Sequence, residues 1–197
     1  MVRLWCLDGH SRNYRQNIIL SSVPAPEINS VWSRHCSNYS GRVRVVGEQE
    51  GSMSSVVSDT NIVWHRLHCD SLAASPETRF KYFTERVMPQ FTKDSMFHTA
   101  VFVPSYFDYV KVRNWFKGSN LDYCEVNEYS KEKKIAQARD MFYHNEKHFM
   151  LYTERSHFYR RFRMKGIRHL IFYQPSTFGW MFSEPVSYTH LTLPTKA

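Results

Sequence analysis

From Arg155 to Arg168 the chain carries Arg155, Arg160, Arg161, Arg163, Lys165 and Arg168 without one acidic residue, and Phe158, Tyr159 and Phe162 stand among them. Guanidinium forks hold phosphates bidentately and aromatic faces stack bases, so this composition suits an RNA surface, or failing that an acidic protein. The competing reading is a solvated loop whose aromatics pack on a neighbouring sheet. Other candidate chemistry is weaker. His65, His68 and Cys69 bring nitrogen and sulfur donors together, but a structural zinc site takes four ligands and no second cluster supplies the rest. Alternation along a strand would also send His65 and His68 to opposite faces. Cys124 has no local partner for nucleophilic work and reads as a small buried apolar side chain. No Gly-x-x-x-x-Gly-Lys-Ser/Thr run is present, so the sequence offers no phosphate-cradling loop, and no catalytic, cofactor or metal residue is assigned.

Charge and composition bound the partners. A net charge of +8 over 197 residues favours an anionic partner such as nucleic acid, with a purely solubilising surface as the alternative. Aromatic residues make up 16% of the chain, which is enough for a packed core and unlike a disordered composition. Cys6, Cys36, Cys69 and Cys124 are widely spread and read as reduced thiols rather than a disulfide framework. No apolar run reaches the roughly 18 residues of a membrane span, and no secretory leader follows Met1.

The elements that must position the basic stretch follow from periodicity. Asn17–Leu20, Arg42–Val46 and Ile62–Leu67 read as strands. A helix opens at Pro24-Ala25-Pro26-Glu27, with Ile28, Val31, Trp32 and His35 on one face. Gly47 to Asp59 reads as a loop or linker. Ser75-Pro76 starts a helix with Phe80, Phe83 and Val87 as its stripe and Pro89 as its stop. Thr99–Pro104 is a buried strand, and Ser105 with Asp108 forms a capping box for a helix with Tyr109, Val112 and Phe116 inward, ending at Gly118. Asp122–Val126 is a strand, Ser130 caps a helix with Ile135, Ala138 and Phe142 inward, and His148–Tyr152 and Arg168–Tyr173 are two more strands. Strands alternating with helices predict an α/β fold: an open, mostly parallel sheet with flanking helices.

Particular segments carry a resemblance. They are Arg15–Ser22, Pro26–Ser30, Arg79–Glu85, Val103–Asp108, Tyr152–Arg161 and Lys165–Tyr173. Over about residues 1–184 the chain resembles the digestive organ expansion factor family, also called U3 small nucleolar RNA-associated protein 25. That family resembles DEAD-box RNA helicases with decayed motifs. On this resemblance Leu20-Ser21-Ser22-Val23 stands where those enzymes carry Ser-Ala-Thr, Thr99–Asp108 falls at motif IV, and Thr153-Glu154 matches the Thr-Asp opening motif V. The Arg-Gly-Leu-Asp expected after that opening is absent, and an arginine-rich motif VI is not recognisable. Catalysis is therefore not carried over.

The resemblance implies a RecA-like second helicase lobe, truncated, preceded by the end of a first lobe. The expected division is residues 1–46 for the end of the first lobe, 47–94 for linker and lead-in strand and helix, and 95–185 for the second lobe. Residues 186–197 resemble a translated sequencing adapter and are expected to be non-native. The implied function is that of a non-catalytic, nucleolar small-subunit processome component. It would support U3-dependent pre-rRNA processing towards 18S rRNA, with U3 small nucleolar RNA or pre-rRNA and processome proteins as partners, and with neither membrane nor small-molecule substrate. Two alternatives stand beside it: an RNA-dependent ATPase whose nucleotide site lies in the first lobe, and a protein-docking scaffold that touches no RNA. The expected RNA-binding residues are Arg155, Arg160, Arg161, Arg163, Lys165 and Arg168.

Overall fold

Four short strands, β1 (Thr99–Val103), β2 (Tyr123–Val126), β3 (Phe149–Thr153) and β4 (His169–Phe172), all parallel and in the order β2-β3-β1-β4, form the sheet around which the larger part of the chain is arranged. The computed structural model describes residues 3–21, 25–45, 61–93 and 96–189. They fall into two units, Met1–Gln49 and Glu50–Ala197.

In the second unit the elements follow one another as α3 (Ser75–Tyr82), a π-helical turn (Phe83–Val87), α4 (Met88–Phe91), β1 (Thr99–Val103), α5 (Tyr106–Gly118), β2 (Tyr123–Val126), α6 (Glu132–Tyr143), β3 (Phe149–Thr153), α7 (Glu154–Arg160), β4 (His169–Phe172) and α8 (Trp180–Tyr188). Every residue of β1 and β3 is buried, as expected of central strands covered on both faces. Successive side chains then serve two cores. Ala100, Phe102, Met150 and Tyr152 pack with Ile135, Ala138 and Phe142 of α6 and with Met164, Ile167 and Tyr188. Val101, Val103, Phe149 and Leu151 pack on the other face with Phe83, Met88, Tyr109, Val112 and Phe116. The predicted inward stripes of α5 and α6 are these buried residues.

Several expectations are corrected. Asn17–Leu20, Arg42–Val45 and Ile62–Leu67 are not strands. An apolar run becomes a strand only where a neighbour takes its backbone hydrogen bonds, and no strand runs beside these segments among the described residues. Val46 and the expected loop at Gly47–Asp59 lie outside the described residues. Pro89 does not stop its helix, which continues to Phe91. The π turn widens the ladder just ahead of it, where the proline ring would otherwise meet the Glu85 carbonyl. Ser75 is the first helical residue rather than the cap. Ser105 caps α5 by position but makes no side-chain cap bond, and Asp108, the other half of the expected box, pairs with Arg79 at 3.2 Å. Ser130 gives way to Lys131 as the cap of α6, and its hydroxyl donates to Asn127 Oδ1 at 3.0 Å.

The first unit, described by itself, contains α1 (Leu4–Leu7), a short 3₁₀ turn (His10–Asn13) and α2 (Pro26–His35). Asn17 ties the segment between them to the one after α2, donating its backbone N–H to Asn38 Oδ1 at 2.7 Å and its side chain to the Ser37 carbonyl at 2.8 Å. On α2, Ile28 and Trp32 are half-buried while Val31 and His35 are exposed. In the second unit Val186 and Tyr188 are buried in the last turn of α8; residues 190–197 lie outside the described residues. Among the described residues no helix is long and apolar enough to cross a membrane.

Candidate nucleic-acid interface

Thr153 is both the last residue of β3 and the cap of α7. Its hydroxyl accepts the Ser156 N–H at 3.3 Å and donates to Glu128 Oε2 at 2.8 Å. The next residue, Glu154, is buried, and its carboxylate accepts the Thr177 N–H at 3.0 Å. α7 is thereby fixed at its start. Ser156 and His157 form its buried side, while Arg155, Phe158 and Tyr159 are exposed. His157 Nδ1 meets the Tyr152 hydroxyl at 2.9 Å. Its Nε2 lies 3.1 Å from Glu184 Oε2 without the alignment of a hydrogen bond. Burial, helped by the nearby Arg161 charge, lowers its pKa to about 4, so the ring is neutral.

The basic stretch is helical as far as Arg160 and a loop from Arg161 to Arg168. Arg155 and Arg160 sit on α7, and Arg161 ends it in a left-handed conformation at φ 43°, its N–H bonded to the His157 carbonyl at 2.9 Å. From there the chain alternates: Arg161, Arg163 and Lys165 point to solvent, Phe162 is half-buried, and Met164 is buried. The apolar residues pack on the sheet and leave the cations outside. Some cations rest on rings. Arg155 lies 5.8 Å from the Tyr159 centroid, and Arg161 lies 4.5 Å from that of Trp180. Among the described residues none of these cations forms an ion pair. Arg168 stands apart. It precedes β4 at the amino ends of the strands, over Phe97 at 4.4 Å, whereas α7 begins at their carboxyl ends.

A cleft of about 310 Å³ opens beside α7, lined by Glu128, Tyr129, Arg155, Ser156, Tyr159 and Arg160. Glu128 and Tyr129 follow β2, and the others follow β3, so the cleft lies at the carboxyl ends of neighbouring parallel strands, the usual ligand edge of open α/β sheets. Glu128 Oε1, Ser156 Oγ and Arg160 Nη1 are buried there with no hydrogen-bonding protein partner.

A family model described as the Utp25 C-terminal domain matches residues 52–196, and one described as the UTP25 NTP hydrolase-like domain matches residues 1–43. The chain belongs to the Utp25 family. Among the family's curated proteins, U3 small nucleolar RNA-associated protein 25 homolog of Xenopus tropicalis is 42% identical over 184 residues, covering 93% of this chain and 24% of that protein. The homolog of Homo sapiens is 39% identical with the same coverage. Protein NUCLEOLAR FACTOR 1 of Arabidopsis thaliana is 37% identical over 172 residues, covering 87% of this chain and 23% of that one. The chain thus spans about a quarter of the length of these Utp25 relatives. Among solved structures, the Hef helicase domain of Pyrococcus furiosus matches 60% of this chain and 25% of that one at 15% identity, with a TM-score of 0.45.

Of the residues expected from sequence to bind RNA in this Utp25 chain, the fold brings Arg155 and Arg160 onto one cleft. Arg161, Arg163 and Lys165 follow in the chain as exposed residues outside that cleft, and Arg168 is separated from the group. Sequence reasoning missed Glu128 and Tyr129. The available signal was Asn127 just after β2, whose side chain folds the turn by accepting the Tyr129 N–H at 3.0 Å. Cys124 is buried as expected, and burial pushes its thiol up to about 12. His65 meets the Tyr82 hydroxyl at 2.8 Å, and among the described residues no group of three or more metal-ligating side chains is assembled.

Proposed function

We propose that the chain is part of a nucleolar ribosome biogenesis factor of the small-subunit processome, acting in U3-dependent pre-rRNA processing towards 18S rRNA. It works by binding RNA and assembly proteins, not by turning over ATP. The names of its relatives, U3 small nucleolar RNA-associated protein 25 and nucleolar factor 1, support the setting. The RNA-binding part rests on one observation: Arg155, Phe158, Tyr159, Arg161, Arg163 and Lys165 are exposed and Arg160 half-buried along α7 and the segment after it, and none of these cations forms an ion pair among the described residues. Unpaired surface cations meet phosphate without first breaking an internal contact, and each releases condensed counterions on binding. Arg168, at the other end of the sheet, is at most a peripheral contact. The absence of turnover rests on the sequence: after Thr153-Glu154 the Arg-Gly-Leu-Asp of a helicase motif V is missing, and no arginine-rich motif VI is recognisable.

Crosslinking of the full-length protein in cells tests this reading. Nucleotide adducts at Arg155–Lys165 are expected. Protein adducts there without RNA adducts would replace it with the docking scaffold, and RNA-stimulated ATP hydrolysis by the full-length protein would replace it with the ATPase.

A further inference from the structure

The cleft beside α7 holds opposite charges apart. Glu128 reaches it from the turn after β2 and Arg155 and Arg160 from α7, yet no ion pair joins them. Ordinarily a carboxylate and two guanidinium groups sharing a small cleft would close on each other. Here Glu128 is held back by its bond to Thr153, at 2.8 Å, and Thr153 is itself fixed as the cap of α7. Arg155 lies against the Tyr159 ring at 5.8 Å. Buried polar atoms remain without a protein partner on both sides, Glu128 Oε1 on the acidic one and Arg160 Nη1 and Ser156 Oγ on the α7 one. A buried polar atom left unpaired is costly, so a ligand that satisfies these groups after a small side-chain rotation gains from each. Such a ligand presents donors on one edge and acceptors on the other. It is also flat, because Tyr129 and Tyr159, aromatic rings able to stack on a planar group, line the cleft and are largely exposed.

A guanine base has that pattern: N1–H and N2–H₂ as donors to a carboxylate, and O6 and N7 as adjacent acceptors for an arginine fork. We infer that the cleft takes a single unstacked guanine from the bound RNA. In that pose Glu128 receives the Watson–Crick edge, Arg160 reaches O6 and N7, and Tyr159 stacks on the base. Sequence-specific RNA recognition commonly works this way, on bases splayed out of single strands. The inference rests on the RNA-binding reading above and sharpens it: the cations outside the cleft hold the backbone, and the cleft reads one base.

The test uses the full chain and short oligouridine probes with one central guanosine, replaced in turn by adenosine, cytidine, inosine or 7-deazaguanosine. The guanosine probe is expected to bind about tenfold more tightly than adenosine and cytidine probes. Inosine, which lacks the N2 amino group, and 7-deazaguanosine, which lacks N7, should each lose most of that advantage. Glu128→Gln should erase discrimination between guanosine and inosine while leaving the salt dependence of binding unchanged. Tyr159→Leu, an exposed substitution, should weaken the guanosine probe about tenfold by removing the stacking ring and serves if Glu128→Gln misfolds. Equal affinity for all probes in a chain that still binds RNA would overturn the guanine reading alone, as would a preference for cytidine or a guanosine preference unmoved by both substitutions. No binding to any probe would overturn the RNA reading beneath it. Free guanosine monophosphate competing as well as the RNA probe would overturn the RNA source in favour of a free nucleotide.

Discussion

His157 shows how a residue inside the basic stretch serves structure rather than charge. It is fully buried between Tyr152, Phe102 and Glu184, and its pKa is lowered from 6.5 to about 4. The unfolded chain therefore takes a proton near pH 6.5 that the folded one refuses until about pH 4. In that window the unfolded state binds more protons, so stability rises with pH. It is fully present above about pH 6.5 and is lost as pH falls towards 4. His98 and His169, also lowered by burial, act in the same sense. Urea midpoints measured from pH 4 to 7 should fall on acidification, and less steeply in His157→Asn. Midpoints that stayed level or rose on acidification would contradict the buried, neutral ring. Motif reasoning could not see this. The sequence shows His157 only as one more polar residue among arginines, and it takes α7's rotation to turn Ser156 and His157 inward and Arg155 and Tyr159 outward.

The strands and helices were legible wherever burial is two-sided or periodic. β1 and β3 are continuous apolar runs because each faces two cores, and the stripes of α5 and α6 match their inward faces. The failed strands share a cause: Ile18, Leu20, Val43 and Val45 are as apolar as core residues, but strand formation depends on a neighbour the run itself does not encode. Phe102 on β1 is the clearest energetic test of the sheet. Its ring meets Phe172 at 5.1 Å, Tyr152 at 5.7 Å and His157 at 6.0 Å, with no exposed surface. Phe102→Ala should cost about 3–5 kcal/mol in chemical denaturation, whereas Phe107→Ala, 87% exposed on α5, should stay within about 0.5 kcal/mol of the parent. Equal losses at the two positions would mean that β1 is not the centre of the core.

At the scale of the whole chain, the basic character was visible from composition, but the geometry that organises it was not. The route through α6 brings Glu128 and Tyr129 beside α7, and a parallel sheet makes such neighbours out of residues far apart in sequence. The same topology removes Arg168 from the group by sending it to the amino ends of the strands. What results is a cleft of mixed polarity followed in the chain by exposed cations that form no ion pair among the described residues, on a chain of the Utp25 family. The most direct test of the account is the salt dependence of binding to single-stranded U3 RNA, compared between the parent and Arg160→Glu/Arg161→Glu, with Arg161→Glu/Arg163→Glu as a second pair on exposed positions. The account predicts that either pair lowers affinity at least about tenfold and flattens the plot of log affinity against log salt by roughly 0.7 for each phosphate that the substituted side chains no longer neutralise. Unchanged affinity with an unchanged slope in both pairs would contradict it.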